Sequence, residues 1–588
     1  MGTISDKLMR IINTKEDIRQ ALISKGYDVP TSIPFKEYAK MISDLPCRVD
    51  SFPDIEGIVA RYSALGLTNE QMAANPVWVD KTGNGHDLQM KNFAWKEGSG
   101  ISDIYPGALV FDGVDDWAGC DNLPLLPKEK GYSIIALRNW ITRYDATQYK
   151  RPLISNLDTN DEGAFLIEYR KDENVNDVTG SYNSFTDVYI DDNNPITWQT
   201  SSSYNGQIIK KGTSKSANKL CICKTYFGQL SNYANAAIWE IVILDHDATG
   251  EELTKIKDYF VKTYPWLFPD QAWTVTGKTN EDEDRATIAN ITGNGNNLVL
   301  SNFGFAEGSG YGLYAENYAG GRWVQSTDRA DLTWTSYSVN ITSVKVASTQ
   351  LYYQSYPEQP SFTVPSYKIK VYGLKDGQTL SYRQVTSEGQ QLYKISEDGT
   401  YTLPSFPFKA NGDWYGFTLD KKQETCDITI EQIPEYEGYL VTDGVDDEVR
   451  SAAFTLNEDW TIVGNWEFIT NENKNAGLTK VYSLYLYNRD YGIFVYKYIN
   501  AGQGFSVEDV KSLKAICSDG RIYLNDWQEI RNNIEQEATI SKGVMAIGYF
   551  NRDFTKMAFK NLGIYNNQIL SKDDCIKAYN YLQTLKAK

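Results

Sequence analysis

The chain has 588 residues, too many for one ordinary core, so several domains of roughly 100–200 residues are expected. Its formal net charge of −18 and pI of about 4.8 leave no basic face to release counterions from a polynucleotide, which argues against nucleic acid as a partner. Aromatic residues make up 13%, with 41 Tyr and 14 Trp, which favours strands over helices, and no apolar run approaches the ~18 residues a membrane span needs.

The first 50 residues differ from everything after them. MGTISDKLMRII has no apolar core and no cleavage site of a secretory signal, so synthesis as a soluble protein in a cytoplasm is expected. Leu8, Ile11, Ile12, Ile18, Leu22 and Ile23 recur at helical spacing up to Gly26, and Phe35, Tyr38, Met41, Ile42 and Leu45 continue the apolar pattern after VPTSIP. Two helices this short bury too little surface to stand alone. Their apolar faces are therefore read as an anchor and oligomerisation segment, residues 1–50.

From residue 52 onward the chain repeats itself. TNE, TGNG, NF and EGSG occur in that order over residues 68–100 and again over 279–310. LVFDGVDDWAG at 109–119 then matches LVTDGVDDEVR at 440–450, and each is followed by an apolar strand, YSIIALRNWIT or WTIVGNWEFIT. Both copies close on a strand, AIWEIVIL or LGIYNNQIL, then a helix whose N-cap hydroxyl is Thr249 or Ser571, with Glu252 or Asp574 three residues on. The first copy is assigned to 52–266 and the second to 267–588.

The second copy is interrupted. Thr82 and Asp112 are 30 residues apart, whereas Thr292 and Asp443 are 151 apart, an excess of 121 that is domain-sized. Within the segment at about 312–437, KIKVYGLKDGQTLSYRQV, GTYTLPSF, DWYGFTLD and CDITIEQI alternate apolar and polar residues between turn signals. The simplest reading is an immunoglobulin-like sandwich whose strands run over about 365–434.

Chemistry is sparse. Seven cysteines are scattered, and only Cys221 and Cys223 are close, on an expected strand that would point both to one face as small buried residues. His86 and His246 are the only histidines, which removes HExxH sites and makes a His-dependent triad improbable. No Glu has an Asp two positions on, so the paired carboxylates of a retaining glucanase strand are missing. EDED at 281–284 comes nearest and reads as a solvated loop.

Asp112, Asp115 and Asp116, with Asp443, Asp446 and Asp447, admit two readings: oxygen ligands for Ca²⁺, or tight turns built on Asp112, Gly113 and Asp116 and on Asp443, Gly444 and Asp447. The turn reading is preferred, because Asp accepts backbone N–H bonds and Gly tolerates positive φ. No catalytic residue, metal or cofactor is assigned. Nor do the copies share an aromatic constellation, since Trp117 aligns with Glu448 and Trp95 with Phe305.

The two DGVDD segments, each set after a Gly-rich turn and before an aromatic-bearing strand, resemble the laminin-G or concanavalin A-like jelly-roll superfamily over most of both copies. That implies a mainly β fold: two jelly-roll sandwiches, an inserted immunoglobulin-like sandwich and a short helical head. The head, KLMRIINTKEDIRQALISKGYDVP then IPFKEYAKMI, is similar to the N-terminal segment of many bacteriophage tail and head appendage proteins. Together with the tandem jelly rolls and the CDITIEQIP to TDGVDD junction, it resembles fibre proteins of crAss-like phages infecting Bacteroides. The resemblance implies a virion structural protein, present in host cytoplasm during assembly, with a capsid head fibre favoured over a tail fibre or receptor-binding protein. Expected partners are the chain itself as a dimer or trimer, capsid or other virion proteins through the head, and a cell-surface glycan; no membrane is expected. The competing readings are a glycan-cleaving enzyme on the same fold and a bacterial carbohydrate-binding surface protein.

Overall fold

The structure is a computed structural model that describes Lys15, Arg19 and residues 52–124, 132–142, 150–156, 166–170, 196–200, 218–225, 227, 232–469, 484–487, 492–493, 512–531, 544–547, 549–550, 553–554 and 556–587, apart from positions 294, 307, 327, 356–359, 387–388 and 410–411. Contacts divide the chain into two units, Met1–Glu56 with Gly250–Thr263, and Gly57–Thr249 with Tyr264–Lys588. In the first unit Lys15 and Arg19 are helical, and Phe52 meets Tyr259 of helix Gly250–Thr263 edge-on, ring centroids 4.9 Å apart.

The second unit is mainly β and holds three sandwiches. In the first, one antiparallel sheet runs Ile196–Thr200, Ser133–Thr142, Asn235–Leu244, Leu109–Asp112, Gly100–Ile101, and Ile58–Ser63 also pairs with Asn235–Leu244. The facing sheet runs Val77–Trp78, Leu88–Lys91, Trp117–Cys120, Leu220–Ile222, Lys150–Ser155, Leu166–Arg170. Leu88 and Met90 are buried while Gln89 and Lys91 are exposed, the two-residue period of a strand with one face on a core. Trp78, Phe111, Ile134, Ile154, Ile222 and Ile238 meet in that core, each burial contributing about 1.5–3 kcal/mol.

The second sandwich repeats this order strand for strand. One sheet runs Ser512–Cys517, Trp460–Phe468, Met557–Asn566, Glu435–Val441, Gly310–Leu313, with Gln271–Thr274 again on the closing strand and Arg521–Tyr523 and Glu529–Arg531 added outside Ser512–Cys517. The other runs Thr287–Ile288, Leu298–Ser301, Glu448–Ser451, Val544–Ile547, Leu484–Tyr487, Gly492–Ile493. The repeat read from short motifs is thus a repeat of topology.

Each repeated motif holds a loop. Asn69 donates to Ile101 O at 2.9 Å and accepts from Ile101 N at 2.7 Å, so its side chain imitates a strand neighbour; Asn280 does the same at Tyr311 with 3.3 and 2.7 Å. A Cβ on Gly100 or Gly310 would meet those amide oxygens at 2.3 or 2.5 Å, which explains the last glycine of EGSG. Before TGNG, Asp80 Oδ1 accepts from Arg61 N, Thr82 N and Thr82 Oγ1, and Asn290 Oδ1 accepts from Ala272 N, Thr292 N and Thr292 Oγ1. Asn92 and Asn302, the Asn of each NF, donate to Asp115 O and Asp446 O, both at 2.9 Å.

The closing helix Lys572–Thr584 starts as the sequence predicts: Ser571 Oγ accepts from Asp574 N at 3.1 Å and donates to Asp574 Oδ2 at 2.7 Å. The helix lies against strands Trp460–Phe468 and Met557–Asn566 of its own sandwich. It also reaches the first sandwich, where Tyr581 meets Trp239 edge-on at 6.4 Å and Asn580 donates to Asp103 O at 3.2 Å.

The insert leaves and rejoins the second sandwich on neighbouring strands, with Leu313 opposite Glu435 and Tyr311 opposite Leu440. In the first copy, residues 102–108 make the same connection. Because entry and exit are hydrogen-bonded neighbours, a whole domain fits there without stretching the host sheet. The insert is a sandwich of two five-stranded sheets: Trp323–Gln325, Thr349–Tyr353, Trp414–Leu419, Leu380–Thr386, Gly389–Ile395, and Ala330–Trp334, Ser338–Val344, Ile428–Ile433, Tyr367–Tyr372, Gly399–Leu403. Four of the strands in these two sheets precede residue 365, so the sandwich is larger than the 365–434 expected from alternation. Its core is separate and aromatic, with Tyr318, Trp323, Tyr382, Tyr415 and Phe417 buried together.

Candidate binding site

The two acidic clusters are turns. Asp112 Oδ1 accepts from the N–H groups of Val114, Asp115 and Asp116 at 2.8, 3.2 and 3.3 Å, and Asp116 Oδ2 accepts from Asp112 N at 3.1 Å. Asp443 and Asp447 repeat the pattern at 2.7, 3.2, 3.4 and 2.7 Å. Gly113 and Gly444 both sit at φ +76, where a Cβ would press on Asn235 or on Lys556 N, at 2.8 and 2.9 Å.

Asp112, Asp115 and Asp116 bring carboxylate oxygens within 4.8 Å of one another, as do Asp443, Asp446 and Asp447, but Asp112 and Asp443 each give one oxygen to three amides. Burial pushes the Asp116 and Asp447 carboxyls up to about 6, against the lowering effect of the Asp112 or Asp443 amide and the Ser99 or Ser309 hydroxyl. Ser309 Oγ donates to Asp447 Oδ1 at 2.8 Å.

The remaining sequence candidates are also accounted for by local structure. His86 supplies its carbonyl to Tyr62 OH at 2.6 Å and Asn296 supplies its carbonyl to Trp273 Nε1 at 2.7 Å, so the backbone role of this turn position is shared, while the Asn296 side chain also donates to Gln271 Oε1 at 3.2 Å. In EDED, Asp282 accepts from Thr279 N and Oγ1, and Asp284 pairs with Lys278 at 2.6 Å. Cys221 and Cys223 are both buried, but the strand ends at Ile222 and Cys223 has φ +57; the one-face expectation fails because the backbone turns there. Of the described cysteines, Cys120, Cys221, Cys223, Cys517 and Cys575 are buried and Cys426 is half-buried. Leu8, Ile11, Ile12, Ile18, Leu22, Phe35, Tyr38 and Ile42 of the expected anchor lie outside the described residues.

Where the two copies differ most, a cleft opens. It has a volume of about 930 Å³ and lies where the insert meets its host, between the entry segment from Leu313, the segment Phe362–Lys368 and the exit segment Ile433–Glu437. Its floor is organised by Glu316, which is 6% exposed. Glu316 Oε1 accepts from Tyr415 OH at 2.6 Å and Oε2 from Trp323 Nε1 at 3.1 Å. The amide of Gln432 on the exit strand spans its backbone, accepting from Glu316 N at 3.0 Å and donating to Glu316 O at 2.7 Å. Entry and exit are thereby tied beneath the cleft.

Half-buried rings line the walls. Tyr314 stacks on Tyr337 at 5.2 Å, and Tyr353 stacks on Tyr415 at 5.1 Å with Phe362 edge-on to it at 6.2 Å. Burial first, then Tyr337 for Tyr314 and Glu316 for Tyr415, holds both hydroxyls above the usual tyrosine range, so each is a neutral donor throughout the physiological range. Exposed Arg322, Lys368, Glu435 and Glu437 form the rim. Sequence reading missed this site because its walls come from three separate segments, the first and last more than 100 residues apart. The available signal was the aromatic density of the insert.

No family model and no curated protein matches the chain. Among solved structures it is similar to a Trypanosoma rangeli sialidase in complex with sialic acid, at 9% identity over 50% of this chain and 68% of that one, with a TM-score of 0.18. It is also similar to the binding domain of botulinum neurotoxin serotype G, at 9% identity over 64% of this chain and 99% of that one, with a TM-score of 0.20. Scores this low carry no argument about function.

Proposed function

We propose that the chain is a non-catalytic structural protein of a bacteriophage particle, a short surface fibre or decoration held by its N-terminal segment and favoured on the capsid head. It presents tandem β-sandwiches to the surroundings and aids attachment through the cleft of the inserted sandwich. The observation that supports this best is how the repeat is used: the residues common to both copies hydrogen-bond loop backbones, and the main structural departure is a displayed domain with a cleft. A duplicated framework with one elaborated member suits display, and many copies on one particle would turn weak binding into avidity.

The test is truncation. A chain lacking residues 1–50 is expected to remain folded and soluble while failing to join particles assembled with it in place of the full chain. Normal incorporation of the truncated chain overturns the anchor. Release of reducing sugar from a polysaccharide, abolished by a single Asp or Glu substitution, would replace display with hydrolysis.

A further inference from the structure

Resting on the attachment reading above, we infer that the cleft at the base of the insert binds a short, uncharged oligosaccharide. The rings of Tyr314 and Tyr353 are held by stacking on Tyr337 and Tyr415, so they offer fixed apolar faces with little rotamer freedom left to lose on binding. Such faces suit the C–H face of a pyranose.

Hydrogen-bonding groups of both kinds stand around them. Lys368 and Arg322 supply donors and Glu437 an acceptor. A sugar hydroxyl is donor and acceptor at once, so it can answer all of these.

Charge narrows the class further. Arg322 and Lys368 balance Glu435 and Glu437 at the rim, and the chain as a whole carries −18, so neither the cleft nor the far field favours a phosphate, a sulfate or a sialic acid. Glu316 is engaged within the fold, because Tyr415 and Trp323 donate to its two oxygens. Its size, within the usual range for ligand clefts, suits several sugar rings better than one.

Isothermal titration of the full chain with cellotetraose, maltotetraose, mannotetraose and xylotetraose tests this, with 3′-sialyllactose and a proline-rich decapeptide as comparators. At least one tetrasaccharide is expected to bind with a Kd below about 1 mM, and Tyr314→Ala, Lys368→Ala and Glu437→Gln should each weaken it about tenfold. Lys368 and Glu437 are exposed, so their variants keep the test valid even if loss of Tyr314 disturbs folding. The inference is overturned if no tetrasaccharide binds, if binding survives Lys368→Ala and Glu437→Gln unchanged, or if sialyllactose or the peptide binds more tightly. Particle incorporation of the same variants separates the two claims: normal incorporation without sugar binding sinks the cleft assignment alone, and sugar binding by a chain absent from particles sinks the virion reading alone.

Discussion

At the scale of single residues, the repeated acidic corners show how a carboxylate can be structural. Asp443 accepts three amide hydrogens, and Asp443→Ala leaves those donors to find water, at a cost of about 1–3 kcal/mol in a urea titration. Gly444→Ala should cost at least about 1 kcal/mol, since φ +76 is strained for alanine and Lys556 N lies 2.9 Å from the new Cβ. Asp116 and Asp447 give a pH dependence of defined sign. Each titrates near 6 when folded against 3.8 ordinarily, so the unfolded chain loses these protons first. Their stabilising contribution is complete below about pH 4 and lost as pH rises to about 6 and beyond, on the order of 1–3 kcal/mol per corner. Asp447→Asn should flatten that part of the pH profile of the urea midpoint; an unchanged slope between pH 4 and 7 would count against a buried, proton-holding Asp447.

At the scale of elements, the two copies differ in how they secure the same pair of strands. Arg61 Nε donates to Glu240 Oε1 at 2.6 Å and Tyr264 OH to Oε2 at 2.7 Å, all buried, whereas register places Ala272 and Asn561 at the corresponding points of the second copy. Glu240→Ala leaves Arg61 buried without that partner, and thermal or urea unfolding should show a loss of about 3–5 kcal/mol. The insertion point makes a second prediction. Replacing residues 312–439 with residues 102–108 should leave a folded second sandwich, because the strands that flank the insert already pair. Collapse of that sandwich on removal of the insert would mean the host depends on its guest.

These elements also mark what was legible in the sequence. TNE, TGNG and DGVDD were readable because each acts within a few residues or on one neighbouring strand, so the chemistry that repeats is local. The strands Trp323–Gln325 and Ala330–Trp334 were harder to read: the first is three residues long and the second has only Ala330 buried, so alternation is faint. The cleft was illegible because Glu316 and Gln432 meet only after eleven strands have folded between them. Cys223 turns out of the strand Leu220–Ile222 that holds Cys221, a backbone choice that residue types alone do not announce.

At the scale of the whole molecule, two copies of one sandwich, one of them carrying a third, make up the second unit. Tyr581 and Asn580 of the closing helix reach Trp239 and Asp103 of the first copy, so the tandem is joined by packing as well as by its linker. Self-association belongs to the head on this account: sedimentation equilibrium should find a dimer or trimer for the full chain and a monomer once residues 1–50 are removed. The central claim is that this protein is a surface component of a phage particle. Quantitative mass spectrometry of gradient-purified particles, with limited surface proteolysis of the same sample, tests it most directly. The account predicts a fixed, multiple copy number per particle and early cleavage of the sandwich domains from intact virions; absence of the chain from purified particles would contradict it.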